Sequence, residues 1–303
     1  KTLQFRSFFN YLRLIYLFKS EINKHKEIEF HCIYDFLGCF LTLILLKFFN
    51  KEFKFKFYLR GMANKKILRK KKFLKLIYLF LMSKLISKKK TKLIATSIYE
   101  KNLAYQIFDR KFVIDIRPNL VDNKIIFATQ KKIKKKRNHL KLFFMSNITW
   151  KKNFEFVFKI LRELDFAITL NIYGSVYESP SRFKKYMQVL RNKHKVNYYG
   201  EYNHKDVKKI VDNNHLMFLP TYDENFGHSI VECLLSYKPC LISNNTPWSD
   251  INFFDAGYAI PLESNNTFVN VLREFYLMDN SEFQKVCSNA RKYVTYKLDN
   301  RNF

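Results

Sequence analysis

The sequence predicts an α/β protein built as two doubly wound parallel-sheet domains facing a cleft. Three observations predict it. Short apolar runs alternate with amphipathic runs through the second half of the chain, the pattern of a parallel sheet with crossover helices. Glycine is scarce, six in 303 residues, and Gly61, Gly174, Gly200, Gly227 and Gly257 all stand at strand ends or turns. Glycine there permits a positive φ or a close backbone approach. A basic run, Lys131-Lys-Ile-Lys-Lys-Lys-Arg137, reads as a linker or solvated charge run, dividing the chain into domains 1–130 and 131–303.

In the second domain the expected strands are Leu140–Met145, Ala167–Tyr173, Val196–Tyr199, Leu216–Leu219, Pro239–Ile242 and Gly257–Ile260. The expected helices are Phe154–Glu163, Ser181–Asn192, His204–Asp212 and His228–Tyr237. The first domain is richer in lysine but keeps a similar rhythm. Phe8–Glu21, Tyr34–Phe49 and Leu68–Ile86 read as helices. Phe53–Leu59 alternates Phe and Lys as a strand does, Lys92–Thr96 and Phe112–Ile116 read as strands, and Ile98–Phe108 reads as a helix. The apolar run Phe36–Leu46 is shorter than the roughly 20 residues a membrane span needs, so it reads as a buried helix, and Gly38 within it as packing.

Composition narrows the function. Hydrophobic residues make up 48% of the chain, enough for a buried core. A net charge of +29 points to polyanionic partners: nucleic acid, acidic lipid or a phosphorylated substrate. The five cysteines, Cys32, Cys39, Cys233, Cys240 and Cys287, form no C-x-x-C pair, which argues for free thiols in a reducing compartment and against a zinc site.

The most informative stretch is Glu224-Asn-Phe-Gly-His-Ser-Ile-Val-Glu232, directly after the strand Leu216–Leu219. It reads as strand, loop and helix start. Such a junction offers backbone N–H groups to an anion, with a dipole worth about 0.3–1 kcal/mol, and carboxylates to hydroxyl groups. Lys152, after the strand ending at Met145, supplies a cation on the same sheet edge. Carboxylates repel phosphate, so they should face hydroxyls: Glu232 a ribose diol, Glu224 a sugar ring. Taken singly, a Glu near a helix start is often dipole compensation, a Lys after a strand surface, and Gly227 a plain cap. Their conjunction on one edge favours a site.

These residues resemble the E-x7-E motif of the retaining glycosyltransferases of family 4, the glycosyl transferases group 1, which have the GT-B fold. Further segments are similar: Ser146-Asn-Ile…Lys152-Asn153, Ile172-Tyr-Gly174, Val196-Asn-Tyr-Tyr-Gly200, Leu219-Pro-Thr-Tyr-Asp-Glu-Asn-Phe-Gly-His228, Thr246-Pro-Trp248 and Asp255-Ala-Gly257. In the first half, Leu59-Arg-Gly-Met62 and Ala95-Thr-Ser-Ile-Tyr-Glu100 resemble an R-G-M branch of the family, and Arg117-Pro-Asn119 its turn into the interdomain linker. The resemblance implies two Rossmann-like domains, with the first incomplete because the family's first strand and glycine-rich loop lie upstream of Lys1. It implies transfer of a sugar from a nucleotide donor to an acceptor hydroxyl with retention, without a bound metal or other cofactor. Glu224 would contact the donor sugar as the catalytic residue and Glu232 the ribose. Lys152 would bind the diphosphate, and Asn225, Phe226 and Gly227 would offer main-chain N–H groups. Gly174 and Asn147 would complete the donor site, with Arg60 and Gly61 on the acceptor side. Asn147 stands where the family commonly has a basic residue, a deficit Lys151 can offset.

The expected partners are a nucleotide-sugar donor and a glycan or lipid-linked acceptor, in surface polysaccharide or lipid-linked glycan synthesis. Nucleic acid is not expected. The location expected is the cytoplasm, with Arg69-Lys-Lys-Lys72 and Lys88-Lys-Lys90 able to hold the protein at the anionic inner face of the membrane. Two alternatives stand beside this: a basic nucleic-acid-binding protein, with Phe53–Tyr58 as a stacking platform, and an inactive fragment that keeps the fold.

Overall fold

The computed structural model describes residues 28–33, 53–59, 91–106, 108, 110–117 and 134–299. The helices expected at Phe8–Glu21, Tyr34–Phe49 and Leu68–Ile86, the basic runs at 69–72 and 88–90, and the candidate residues Arg60 and Gly61 lie outside them. The chain divides into two units, Lys1–Pro118 and Asn119–Phe303.

The first unit carries a four-stranded sheet: β1 (Ile28–Ile33), β2 (Phe53–Tyr58), β3 (Thr91–Ala95) and β4 (Ile114–Ile116), in that order and parallel throughout. β1 was not among the expected strands, although Ile28-Glu-Phe-His-Cys-Ile33 has the alternation of one. Between β3 and β4 runs α1 (Ile98–Ala104). Its start follows from the sequence Ser97-Ile-Tyr-Glu100. The Ser97 hydroxyl accepts from the Glu100 N–H at 3.0 Å, and the Glu100 carboxylate accepts from the Thr96 N–H at 2.7 Å and the Thr96 hydroxyl at 2.8 Å. This is a capping-box pairing, closed one residue further out.

The second unit is a six-stranded parallel sheet. Its strands are β5 (Lys141–Met145), β6 (Thr169–Tyr173), β7 (Lys195–Tyr198), β8 (Leu216–Leu219), β9 (Cys240–Ser243) and β10 (Gly257–Ile260). Their spatial order is β10-β9-β8-β5-β6-β7. The chain builds outward from β5 to β7, then crosses back and builds the other way from β8 to β10. The sheet is doubly wound, with its reversal between β5 and β8. The helices are α2 (Phe154–Glu163), α3 (Pro180–Arg191), α4 (Val207–Asp212), α5 (His228–Leu235), α6 (Asn265–Leu277) and α7 (Asn280–Asp299). They fall into two touching groups, α3–α2–α6 and α4–α5–α7, as a sheet covered on both faces requires. Burial on both faces explains why Leu216-Met-Phe-Leu219 and Cys240-Leu-Ile-Ser243 read as unbroken apolar runs: every residue of β8 and β9 is buried. The helix expected at 204–212 begins as a 3₁₀ turn, His204–Asp206, before α4. Helices α6 and α7 were not among the expected elements.

Two polar clusters hold the entry to this unit. The Lys135 ammonium donates to the carbonyls of Lys136, Tyr276 and Met278 at 2.8–3.3 Å, binding the segment before β5 to the end of α6. Burial lowers its pKa to about 8. His215, 1% exposed, lies between the rings of His139 and Phe283. Its Nδ1 accepts from the Lys141 N–H at 3.1 Å, a bond that only the neutral ring can make on that nitrogen. Burial first, then the charges of Lys135, His139, Lys141 and Lys238, lower its pKa from 6.5 to about 3.

The linkage is direct. Between pH 6.5 and about 3 the unfolded chain binds a proton that the folded ring refuses. Stability present above pH 6.5 is therefore lost as the pH falls, by up to about tenfold in the unfolding constant per pH unit. Urea unfolding at pH 7 and pH 5 checks this. His215→Phe should shallow the pH dependence by close to one proton, and an unchanged slope would place its origin elsewhere.

Candidate active site

The reversal between β5 and β8 is where an open α/β sheet forms its crevice. The two loops that leave these strands are joined there. After β5 the chain makes a 3₁₀ turn, Trp150–Lys152, and passes through Asn153 in the left-handed region (φ 56°) into α2. The Asn153 amide donates to the Pro220 carbonyl at 3.1 Å. From the β8 loop, the Thr221 hydroxyl and the Tyr222 N–H both donate to the Lys151 carbonyl, at 2.9 and 2.8 Å. Lys151 pairs with Asp223 at 2.9 Å, and Lys152 pairs with Glu224.

The Lys152–Glu224 pair is largely enclosed, with side chains 19% and 12% exposed. Burial pushes the Glu224 carboxyl upward. The charges of Lys152 and Lys151, a hydrogen bond from Lys152 and one from the Asn225 backbone outweigh that effect and hold it below its ordinary range. Glu224 is therefore a carboxylate at neutral pH and a poor general acid.

Glu232 lies one turn inside α5, and its side chain is 7% exposed. Its Oε1 is 3.2 Å from Nε2 of His204. Tyr202 is on the same side, with its phenol pushed up to about 12 by burial and then by the Glu232 charge. Gly227 caps the helix in the left-handed conformation (φ 78°, ψ 58°) and brings no side chain to the first turn. A Cβ at Gly227 would crowd Ile230, Glu224 and Trp248 at 3.0–3.3 Å.

Lys152, Glu224, Glu232, His204 and Tyr202 line one pocket of about 430 Å³. It contains Asn147, Lys152, Gly174, Glu224 and Glu232 from the expected set. It also contains Glu201, Tyr202, His204, His228 and Ser229, which sequence reasoning did not select. The loop after Gly200 was the available signal, because it leaves the end of β7 on the same edge. Asn225, Phe226 and Gly227 are not among the lining residues. Phe226 is 1% exposed and packs edge-on against Trp248 and His228. Asn147 takes a structural part. Its Oδ1 accepts from the Ser175 N–H at 3.2 Å and fixes the turn at Gly174. Gly174 has φ 131°, and a Cβ there would stand 2.1 Å from the Ser146 carbonyl oxygen, so no other residue fits. Among the described residues no three His, Cys, Asp or Glu side chains cluster as metal ligands do.

Residues 126–293 match the family described as Glycosyl transferases group 1. The chain belongs to that family. It is a glycosyltransferase, and the pocket lies wholly within the matched segment. No curated protein matches it significantly in sequence. Solved structures resemble it over most of its length. Sucrose-phosphate synthase from Thermosynechococcus elongatus is 14% identical with a TM-score of 0.72, covering 95% of this chain and 73% of that one. Anabaena HepE, solved with UDP and glucose, is 14% identical with a TM-score of 0.73, covering 95% and 77%. A glycosyltransferase from Rickettsia africae is 17% identical with a TM-score of 0.65, covering 98% and 79%. At such identities the likeness is one of fold, and the fold is GT-B.

A buried relay supports the loop of this glycosyltransferase that carries Glu224. The Trp248 indole N–H donates to the Phe226 carbonyl at 2.6 Å, beside the Gly227 cap. Trp248 packs edge-on against Tyr293 of α7, whose hydroxyl donates to Asp250 at 2.6 Å, and Lys297 donates to both oxygens of the same carboxylate. Trp248→Phe keeps an aromatic ring and removes the indole donor to the Phe226 carbonyl. It should cost about 1–3 kcal/mol in stability and speed amide exchange in residues 224–229. Exchange that is unchanged there would show that the indole does not hold the loop.

Proposed function

We propose that the chain moves a sugar from a nucleoside-diphosphate donor to an acceptor hydroxyl, with retention of anomeric configuration. The observation that carries this is the pocket at the sheet reversal, where Lys152, Glu224, Glu232 and the first turn of α5 come together. The first turn of a helix and a lysine suit a diphosphate. Two carboxylates suit hydroxyls. HepE, which shares the fold, was solved with UDP and glucose.

The reading assigns each group a task. Glu232 accepts from the ribose hydroxyls, beside His204 and Tyr202. Glu224 accepts from the donor sugar, and its pairing with Lys152 lowers its repulsion of the diphosphate. In the transfer, the bond from the anomeric carbon to the diphosphate oxygen breaks and a bond to the acceptor oxygen forms. The acceptor proton passes to the departing phosphate or to solvent. Lys152 and the N–H groups at the start of α5 oppose the charge that builds on the leaving diphosphate, the largest electrostatic demand of the step. Asn225, Phe226 and Gly227 shape the turn that presents those N–H groups. No metal is required for this division of labour. Arg60 and Gly61 are retained as acceptor-side candidates on the family resemblance.

The pathway we infer is surface polysaccharide or lipid-linked glycan synthesis, on the cytoplasmic face of the membrane. The net charge of +29 and the basic runs at 69–72 and 88–90 support peripheral attachment, each cation near an anionic surface adding about 1 kcal/mol. No described helix is long and apolar enough to cross a membrane.

Two measurements test these readings. In a thermal-shift screen of uridine, guanosine and adenosine diphosphate sugars, one base class should raise the melting midpoint, with about 2.7 kcal/mol of stabilisation at a hundredfold excess over Kd. Glu232→Ala should weaken that ligand roughly 10- to 100-fold. A well-folded wild type that no nucleotide stabilises would sink the donor assignment. In flotation, the chain should rise with phosphatidylglycerol vesicles at low salt and not with phosphatidylcholine alone. Absence from the anionic fraction removes the attachment.

A further inference from the structure

A second and larger depression, about 770 Å³, lies along α2. It lies close to the first: its lining includes Asn153 and Tyr222, which belong to the loops that carry Lys152 and Glu224. From there it follows α2 through Phe158, Lys159 and Glu163, with Tyr186 of α3 on one side and Glu263, after β10, also in its wall.

Its chemistry differs from that of the chain as a whole. The protein carries +29, yet this groove is close to charge balance: its wall presents Glu155, Glu163 and Glu263 beside Lys159 and Arg162, and Arg182 pairs with Glu155 at 3.6 Å. A polyanion would find better surface elsewhere. Phe158 is covered by its neighbours, and Tyr186 and Tyr222 bring the ring surface that lines the wall. Phe158 and Tyr186 stack at 4.1 Å with 16° between their planes, and the Arg162 guanidinium lies 5.5 Å from the centre of the Phe158 ring. At the pocket end, Tyr222 is 43% exposed and lies 6.0 Å from Trp150, tilted by 31°. Lys159, Glu163 and Glu263 are charged groups that make no side-chain hydrogen bond or ion pair among the described residues.

Aromatic faces, carboxylates and a few cations in one elongated groove match one ligand class. A pyranose ring has an apolar C–H face, which packs on aromatic rings, and an edge of hydroxyls, which donate to carboxylates and accept from ammonium and guanidinium groups. We propose that this groove binds a glycan chain, neutral or amino-sugar in composition, beside the transfer pocket. Tyr222 lies at the near end, on the loop that carries Glu224. A chain bound here is kept at the enzyme between transfers without occupying the donor pocket. The identity of the ligand rests on the glycosyltransferase reading; the groove itself does not.

The test uses the full chain on an array of immobilised neutral and N-acetylamino-sugar oligosaccharides, with heparin and RNA as polyanion controls. The wild type should retain at least one oligosaccharide class. Tyr222→Ala and Glu263→Gln should each weaken that retention roughly tenfold, since both side chains are exposed and neither supports the core. Glu232→Ala, which disables the donor pocket, should retain the oligosaccharide at wild-type strength. The nucleotide thermal shift, run on the same variants, keeps the two readings apart: a failed shift with intact glycan retention refutes the donor assignment and leaves the groove standing. The groove proposal is overturned if no oligosaccharide is retained, if retention survives both groove variants, if Glu232→Ala abolishes it, or if Tyr222→Ala and Glu263→Gln weaken heparin or RNA binding instead.

Discussion

The site depends on one constraint, the tie between the loops that follow β5 and β8. A doubly wound sheet leaves these two loops side by side because the strand order reverses between them. Proximity alone would let them splay apart, since neither has a repeating backbone pattern. Asn153 to Pro220, Thr221 and Tyr222 to Lys151, and the two ion pairs that follow close the seam residue by residue. Lys152 and Glu224 are held at its end as a consequence. The backbones that carry them are tied by hydrogen bonds that do not involve either side chain, and their own ion pair adds to that tie.

The second unit was largely legible in the sequence, for a physical reason. A parallel strand covered on both faces must be apolar along its whole length, and Leu216-Met-Phe-Leu219 is four such residues bounded by His215 and Pro220. Helix α2 was visible because Asn153 precedes an amphipathic run that starts at Phe154. Glu224 and Glu232 stood out through their spacing around Gly227. The missing pieces are those that depend on distance in space. Nothing in Gly200-Glu-Tyr-Asn-His204 marks His204 as the neighbour of Glu232, because that pairing needs β7 and α5 to be placed first. Phe226 was expected to offer its main-chain N–H, and the place of its ring, packed on Trp248, was not legible from the motif. Only its backbone remains available to the loop's geometry. β1 went unassigned although its alternation is plain, since the charged residues around it diluted the pattern.

Charge needs the same local treatment. A net charge of +29 describes the chain as a whole and says little about any one surface. The pocket at the sheet reversal sets three carboxylates, Glu201, Glu224 and Glu232, against one lysine and the partial charge of a helix terminus. The groove along α2 is close to charge balance. Both depart from the average in the direction that hydroxyl-rich ligands require. Among the described lysines, only Lys152 and Lys159 line these two concave surfaces.

The strand order also has a kinetic meaning. β5–β6, β6–β7, β8–β9 and β9–β10 each join neighbours in sequence, whereas β5 and β8 pair only after the whole of α2, β6, α3, β7 and α4 has been placed between them. Closing that long loop is the slowest kind of contact for a chain to make. The two halves of the unit can thus gain much of their structure before Lys152 and Glu224 meet. The pocket between these loops should be the last feature this protein completes as it folds, and the first it loses when the sheet parts at its middle.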